Sequence, residues 1–320
     1  MLHLQPYNKD GSILTGIVHT SNDAELANGV ISNHSFSNRP PNGYSDYYEK
    51  FMGYLNILMS PAYSIDNSVT AKTFNVINIS EESVFNYLDT NTSRAEIGVI
   101  SQKLENHKIG IVGLGGTGSY VLDLVAKTPV SEIHLFDGDV FSQHNAFRSP
   151  GAPDIEKLRE KCRKSDYFCD LYKKMHKYVI SHNEYIDATN VNSLLSLDFV
   201  FICIDKGKIK RETIDNLVKC KISFIDVGIG IEVVDNSLIG QVRITASTPE
   251  KREHISNRIS FSNVEEDEYS TNIQIADLNA LNATLAVIQW KKLNGFYQDV
   301  TKAFNTVYSI NDGELFNDEY

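Results

Sequence analysis

Residues 109–119, IGIVGLGGTGS, set a glycine-rich turn directly behind a short apolar run, and a second apolar run, EIHLF, ends in Asp137-Gly138-Asp139. This order points to a nucleotide site. Gly113, Gly115, Gly116 and Gly118 remove side chains where a backbone turn must approach phosphate, and the helix that follows turns its free N–H groups and positive dipole end towards the anion. An acidic residue at the tip of the next strand reaches ribose hydroxyls, the role expected of Asp137.

From His107 onward, strand and helix patterns alternate. KIGIVG, EIHLFD, DFVFICID and KISFIDVG read as strands, the third nearly continuously apolar and β-branched, as a parallel strand buried on both faces must be. SYVLDLVAKT and FCDLYKKMHKYV read as helices, the second with a basic outer face. LIGQVRITAS reads as an antiparallel strand, residues 249–272 as a long polar loop, and IADLNALNATLAVIQWKKLNG as a closing helix. The expected fold is α/β: a Rossmann-like, doubly wound, mostly parallel sheet with antiparallel strands in its second half, and a ligand crevice at the carboxyl ends of the strands. Ahead of it lies a small N-terminal α+β or irregular region, rich in Asn, Ser and Tyr, in which Tyr47, Phe51, Tyr54 and Leu58 fall on one face of a helix expected to pack on the main domain. A helical stretch over 93–104 leads into the first core strand, and the acidic end NDGELFNDEY is expected to fray or to dock on a partner.

Composition excludes several classes. No apolar run approaches the roughly 18–20 residues of a membrane span, and the N-terminus MLHLQPYNKDGS lacks the pattern of a secretory signal, so a cytoplasmic protein is expected. The net charge of −11 argues against nucleic acid as a partner of the whole surface. Cys162, Cys169, Cys203 and Cys220 contain no C-x-x-C pair, so neither zinc nor a disulfide framework is expected.

The glycines alone would suit a nicotinamide cofactor, as in an NAD(P)-dependent oxidoreductase. The residues that follow favour ATP. VFSQHNAFRSPG supplies Asn145 and Arg148 in a loop leaving the second strand, Lys164 comes next, and Asp205 stands at the carboxyl end of DFVFICID. Two cations, an amide and two or three carboxylates around one glycine turn suit a triphosphate better than a nicotinamide.

In this order, G-x-G-G-x-G-S, D-x-D, N-x-x-R, a lysine, a strand ending in Asp and then Gly240-Gln241-Val242, the chain resembles the ThiF/MoeB/HesA superfamily, which includes the ubiquitin-activating enzymes. The resemblance spans residues 107–295 and looks most like bacterial ThiF-domain proteins with an additional N-terminal region. It implies an accessory region over 1–100, an adenylation domain over 101–310 and a tail over 311–320. It further implies an ATP-dependent adenylyltransferase that joins a carboxylate, usually the C-terminal glycine of a ubiquitin-like protein or a peptide, to AMP and releases pyrophosphate. By the same resemblance Arg148 and Lys164 neutralise the phosphates, Asn145 orients a phosphate oxygen, and Asp205 holds Mg²⁺. Asp137 takes the ribose, Asp139 lines the same pocket, and Arg94 reaches into the neighbouring protomer of a homodimer.

Many ubiquitin-activating relatives carry a thioester on a cysteine in the second half of the domain, but this chain has none after Cys220. A stable enzyme thioester is therefore not expected; Cys220 and Cys169 are the only plausible carriers. The acyl group then stops at the adenylate or passes directly to another protein, such as a conjugating enzyme. Two further readings within the superfamily remain: adenylation of a carboxylate on a tRNA nucleoside, as in its dehydratase branch, and a catalytically inactive dimeric scaffold.

Overall fold

The computed structural model describes residues 5–27, 30–69, 71, 83–205, 207–261 and 273–320. The chain divides into two compact units, residues 1–78 and 79–320.

In the first unit, strands Ala24–Ala27 and Val30–Ser32 pair antiparallel, as do Val18–Thr20 and Ser35–Phe36. A helix over Tyr47–Tyr63 follows, started by Asp46, whose carboxylate accepts the Glu49 amide at 2.7 Å. The expected aromatic stripe lies on this helix, but Tyr47 and Phe51 are exposed, while the Tyr54 hydroxyl accepts the Asn38 amide.

In the second unit, among the described residues, eight strands form one sheet. In chain order these are β1 Lys108–Val112, β2 Glu132–Phe136, β3 Val179–His182, β4 Phe199–Ile202, β5 Ser223–Val234, β6 Ser237–Ser247, β7 Asn305–Ser309 and β8 Leu315–Asp318. The spatial order is β8-β7-β6-β5-β4-β1-β2-β3. Strands β3, β2, β1, β4 and β5 run parallel, and β6, β7 and β8 are added antiparallel. Chain order reverses direction between β1 and β4, the switch point at which such sheets open a crevice. Every side chain of β4 is buried, the expected result of packing on both faces.

Helix α1 (Gly116–Val125) follows β1, α2 (Lys164–Tyr172) precedes β3, α3 (Gly207–Lys219) links β4 to β5, and α4 (Ala276–Leu293), expected as the closing helix, is followed by β7 and β8. One apolar cluster joins α1, α2 and α4 to the sheet, with Trp290 of α4 against Phe199 and Phe201. A second, containing Phe136, Leu194, Ile202, Leu217 and Phe224, fills the other face. Among the described residues no helix is long and apolar enough to cross a membrane.

Four local expectations change. The helical stretch over 93–104 breaks into Thr90–Arg94, Gly98–Ser101 and a 3-10 turn Gln102–Leu104, interrupted where Glu96 takes a positive φ of 57°. Helix α2 starts at Lys164 and ends at Tyr172, so Lys173, Lys174 and Lys177 lie beyond it rather than along a basic face. The polar stretch from 249 contains a short helix, Ile255–Arg258; residues 262–272 lie outside the described residues. The acidic end does not fray: it forms β8, and Arg258 pairs with Asp318 at 2.7 Å and Glu319 at 2.6 Å.

Candidate functional site

The turn between β1 and α1 is fixed by contacts on every side but one. Gly113 has φ +90°, a left-handed conformation that favours glycine, and the Cys203 carbonyl stands where a side chain would begin. A Cβ on Gly118 would collide with the Gly113 carbonyl, and one on Gly116 with the Asn279 amide of α4. Gly115 differs: nothing lies within 4 Å of its missing Cβ. It is the N-cap residue of α1, so the space beside it lies at the helix amides and the positive dipole end. The turn thus combines packing glycines with one that keeps a cleft open.

That cleft, of about 430 Å³, lies at the carboxyl ends of β1, β2 and β4. Gly113, Gly115 and Gly116 form part of its wall, and Asp137, Asp139, Arg148, Lys164 and Asp205 come together around it. Asp137 is 6% exposed and accepts the Leu114 amide at 2.7 Å and the Asp139 amide at 2.8 Å. Its burial pushes the carboxyl up from the usual range, opposed by Lys164 and by these two amides. The Lys164 ammonium lies 2.7 Å from Asp139 and 3.9 Å from Asp137, and the Tyr185 hydroxyl donates to Asp139. Tyr185 fits because Gly138 lacks a Cβ, which would press on its ring.

Arg148 is half-buried, and its buried Nε has no hydrogen-bond partner among the described residues. Burial lowers its pKa, and Asp205 and Asp139 work against that, so it remains a cation desolvated beside two carboxylates. His144 also lines the cleft, its pKa lowered by burial and then by Arg148 and Lys164. Such a site can hold a polyanion against Arg148 and the α1 amides while its carboxylates face hydroxyls or a cation.

Two predicted residues lie elsewhere. Asn145 is buried behind the wall: its Oδ1 accepts the Ser142 amide at 2.9 Å and closes the capping box of the short helix Gln143–Ala146, while its Nδ2 has no partner among the described residues. Arg94 is exposed at the end of its helix and does not line the cleft.

The sequence reading did not single out His144, Tyr185 or Gln274, all of which line the cleft. It also passed over an ion cluster behind the wall. Asp226 of β5 is 0% exposed, with Lys210 of α3 at 2.9 Å and Arg243 of β6 at 2.6 Å. A signal existed for this cluster: Asp226 interrupts the apolar run ISFIDVGIG, where a carboxylate is buried only if paired.

A cleft at the switch point of a mostly parallel sheet, walled by a glycine turn and lined by Asp137, Arg148 and Lys164, defines the class as an α/β protein of the Rossmann-like type. The ThiF family model matches residues 89–297, most of the chain, so the protein belongs to the ThiF family and is an adenylyltransferase. A domain of unknown function, DUF6791, matches residues 3–90. Comparison with curated proteins gives no match. Among solved structures the chain is similar to E. coli MccB with MccA-N7isoASN (TM-score 0.58, 16% identity, covering 73% of this chain and 72% of that one). It is also similar to E. coli MccB with ATP (TM-score 0.56, 16% identity, 72% of each chain). PaaA matches over a longer stretch (TM-score 0.58, 15% identity, 89% of this chain and 92% of that one). At these identities the likeness is one of fold.

Proposed function

We propose that the cleft binds ATP and that the protein transfers AMP to a carboxylate, that of a peptide or of the C-terminal glycine of a ubiquitin-like protein. A carboxylate oxygen attacks the α-phosphorus, the bond to the β-phosphate oxygen breaks, and an acyl-adenylate and pyrophosphate result. The observation that carries this reading is that Arg148, Lys164 and Asp205 line the same cleft as Gly115, beside which there is open space. MccB, with the same fold, has been crystallised with ATP and with MccA.

Negative charge grows on the α-phosphate and the leaving pyrophosphate, and Arg148 is already desolvated to meet it. Lys164 starts bound to Asp139 and turns towards phosphate when the nucleotide arrives. Asp137, fixed by two backbone amides, takes the ribose. Asp205 would hold Mg²⁺, which supplies charge neutralisation; a phosphate-borne Mg²⁺ needs only one or two protein carboxylates, and no group of three or more metal-binding side chains occurs among the described residues. Arg94 completes the site only from a neighbouring protomer of a homodimer.

The cysteines support release of the acyl group without an enzyme thioester. Burial pushes the Cys162 and Cys203 thiols up, away from the thiolate a nucleophile needs, and Cys169 is buried, donating to the Val179 carbonyl. Cys220 is exposed at the far end of α3, away from the cleft lining. ATP–pyrophosphate exchange with peptides and ubiquitin-like proteins tests the proposal. Exchange that depends on a free C-terminal carboxylate and survives Cys220→Ser is expected; exchange lost in Cys220→Ser, or absent with every carboxylate while NADH binds tightly, overturns it.

A further inference from the structure

The Lys210–Asp226–Arg243 cluster has no place in the chemistry above. Replacing a buried ion pair by apolar residues of similar volume is often neutral or stabilising, so stability alone does not explain it. Its position is more informative. Lys210 lies in the first turn of α3, next to Ile209 and five residues beyond Asp205; Asp226 adjoins Val227 and Gly228. Ile209, Asp205, Val227 and Gly228 all line the cleft. Arg243 lies against the open side of Gly228, where a Cβ would stand 2.9 Å from its Nη2, and its side chain keeps 17% exposure. Its other amino group donates to Thr245, which donates in turn to Asn305 at 2.7 Å. The cluster therefore backs the wall that carries Asp205.

Charge gives it a task. Among the described residues, Asp137, Asp139 and Asp205 line the cleft with Arg148 and Lys164, one negative charge in excess and unfavourable for a triphosphate. Behind the wall, two cations share one carboxylate and leave one positive charge in excess. The cluster is buried, where charges act over longer distances than in water, whereas Asp139 and Asp205 of the lining are exposed.

We infer that Lys210 and Arg243, held by Asp226, form a second, buried tier of positive charge that offsets the acidic lining and makes the cleft accept ATP rather than an uncharged nucleoside. They are positioning residues, and the inference rests on the nucleotide reading of the cleft.

The test is calorimetric titration of the full chain with ATP and, separately, with adenosine, at low and high salt. Arg243→Met leaves Lys210 and Asp226 paired, so no isolated charge is buried. It should weaken ATP about tenfold at low salt and leave adenosine within about twofold, and Arg243→Lys should restore ATP. Lys210→Met, which leaves Arg243 and Asp226 paired, should behave likewise and serves if Arg243→Met fails to fold. Equal weakening of ATP and adenosine, or unchanged ATP affinity in both variants, overturns the inference alone. Wild-type protein that binds no ATP overturns it together with the proposed function.

Discussion

Arg148 and Asp205 were singled out by their order behind the glycine turn, and both line the cleft. Asn145 shows the limit: an amide one turn before Arg148 serves equally well as a helix cap, and only its Ser142 contact reveals that use. Arg148→Ala should lower exchange by about a hundredfold to a thousandfold, with Arg148→Lys recovering only part because a point charge replaces a planar fork. An unchanged rate in Arg148→Ala, in protein that melts normally, would remove this residue from the chemistry. His144 provides a pH signature. Its pKa lies below the usual value in the free protein, so it is neutral near pH 7, and a bound triphosphate favours its charged form. ATP binding should therefore take up protons, and affinity should rise as pH falls from neutrality towards the ordinary histidine range. Calorimetry in buffers of different ionisation enthalpy measures that uptake; none in wild type, or the same uptake in His144→Gln, contradicts the assignment.

At the scale of elements, the parallel strands were readable because burial on both faces requires a continuous apolar run, as in β4. The β5–β6 hairpin was not read as a unit. Its turn places Asp235 and Asn236 at φ 48° and 59°, a conformation these residues tolerate without the glycine that usually announces such a turn. The β8 strand was hidden for a different reason: it is four residues long within an acidic segment, and pairing with β7 and the Arg258 contacts hold it. The glycine turn separates structural from functional need. Gly118→Ala should destabilise the protein by about 3 kcal/mol or prevent folding, because backbone lies where the methyl must go. Gly115→Ala should cost less than about 1 kcal/mol, yet weaken ATP by crowding the phosphate cradle. Thermal melts and ATP titrations of the two variants distinguish these effects; Gly115→Ala protein with wild-type ATP affinity would show that phosphate does not approach this turn.

At the scale of the molecule, a doubly wound parallel sheet with its crevice at the carboxyl ends of the strands followed from the alternation of strand and helix, while the strand order came only from the structure. The buried ion cluster was not legible either, since Lys210, Asp226 and Arg243 come from three elements and meet only after α3 packs on β5. The central claim is that a carboxylate oxygen attacks the α-phosphorus of ATP in this cleft. Its most direct measurement uses a carboxylate substrate labelled with ¹⁸O, followed by mass spectrometry of the nucleotide products after the acyl group has been transferred to an amine or thiol. One labelled oxygen is expected in AMP and none in pyrophosphate. Label in phosphate alongside ADP, or AMP free of label, would place the attack elsewhere and contradict adenylation.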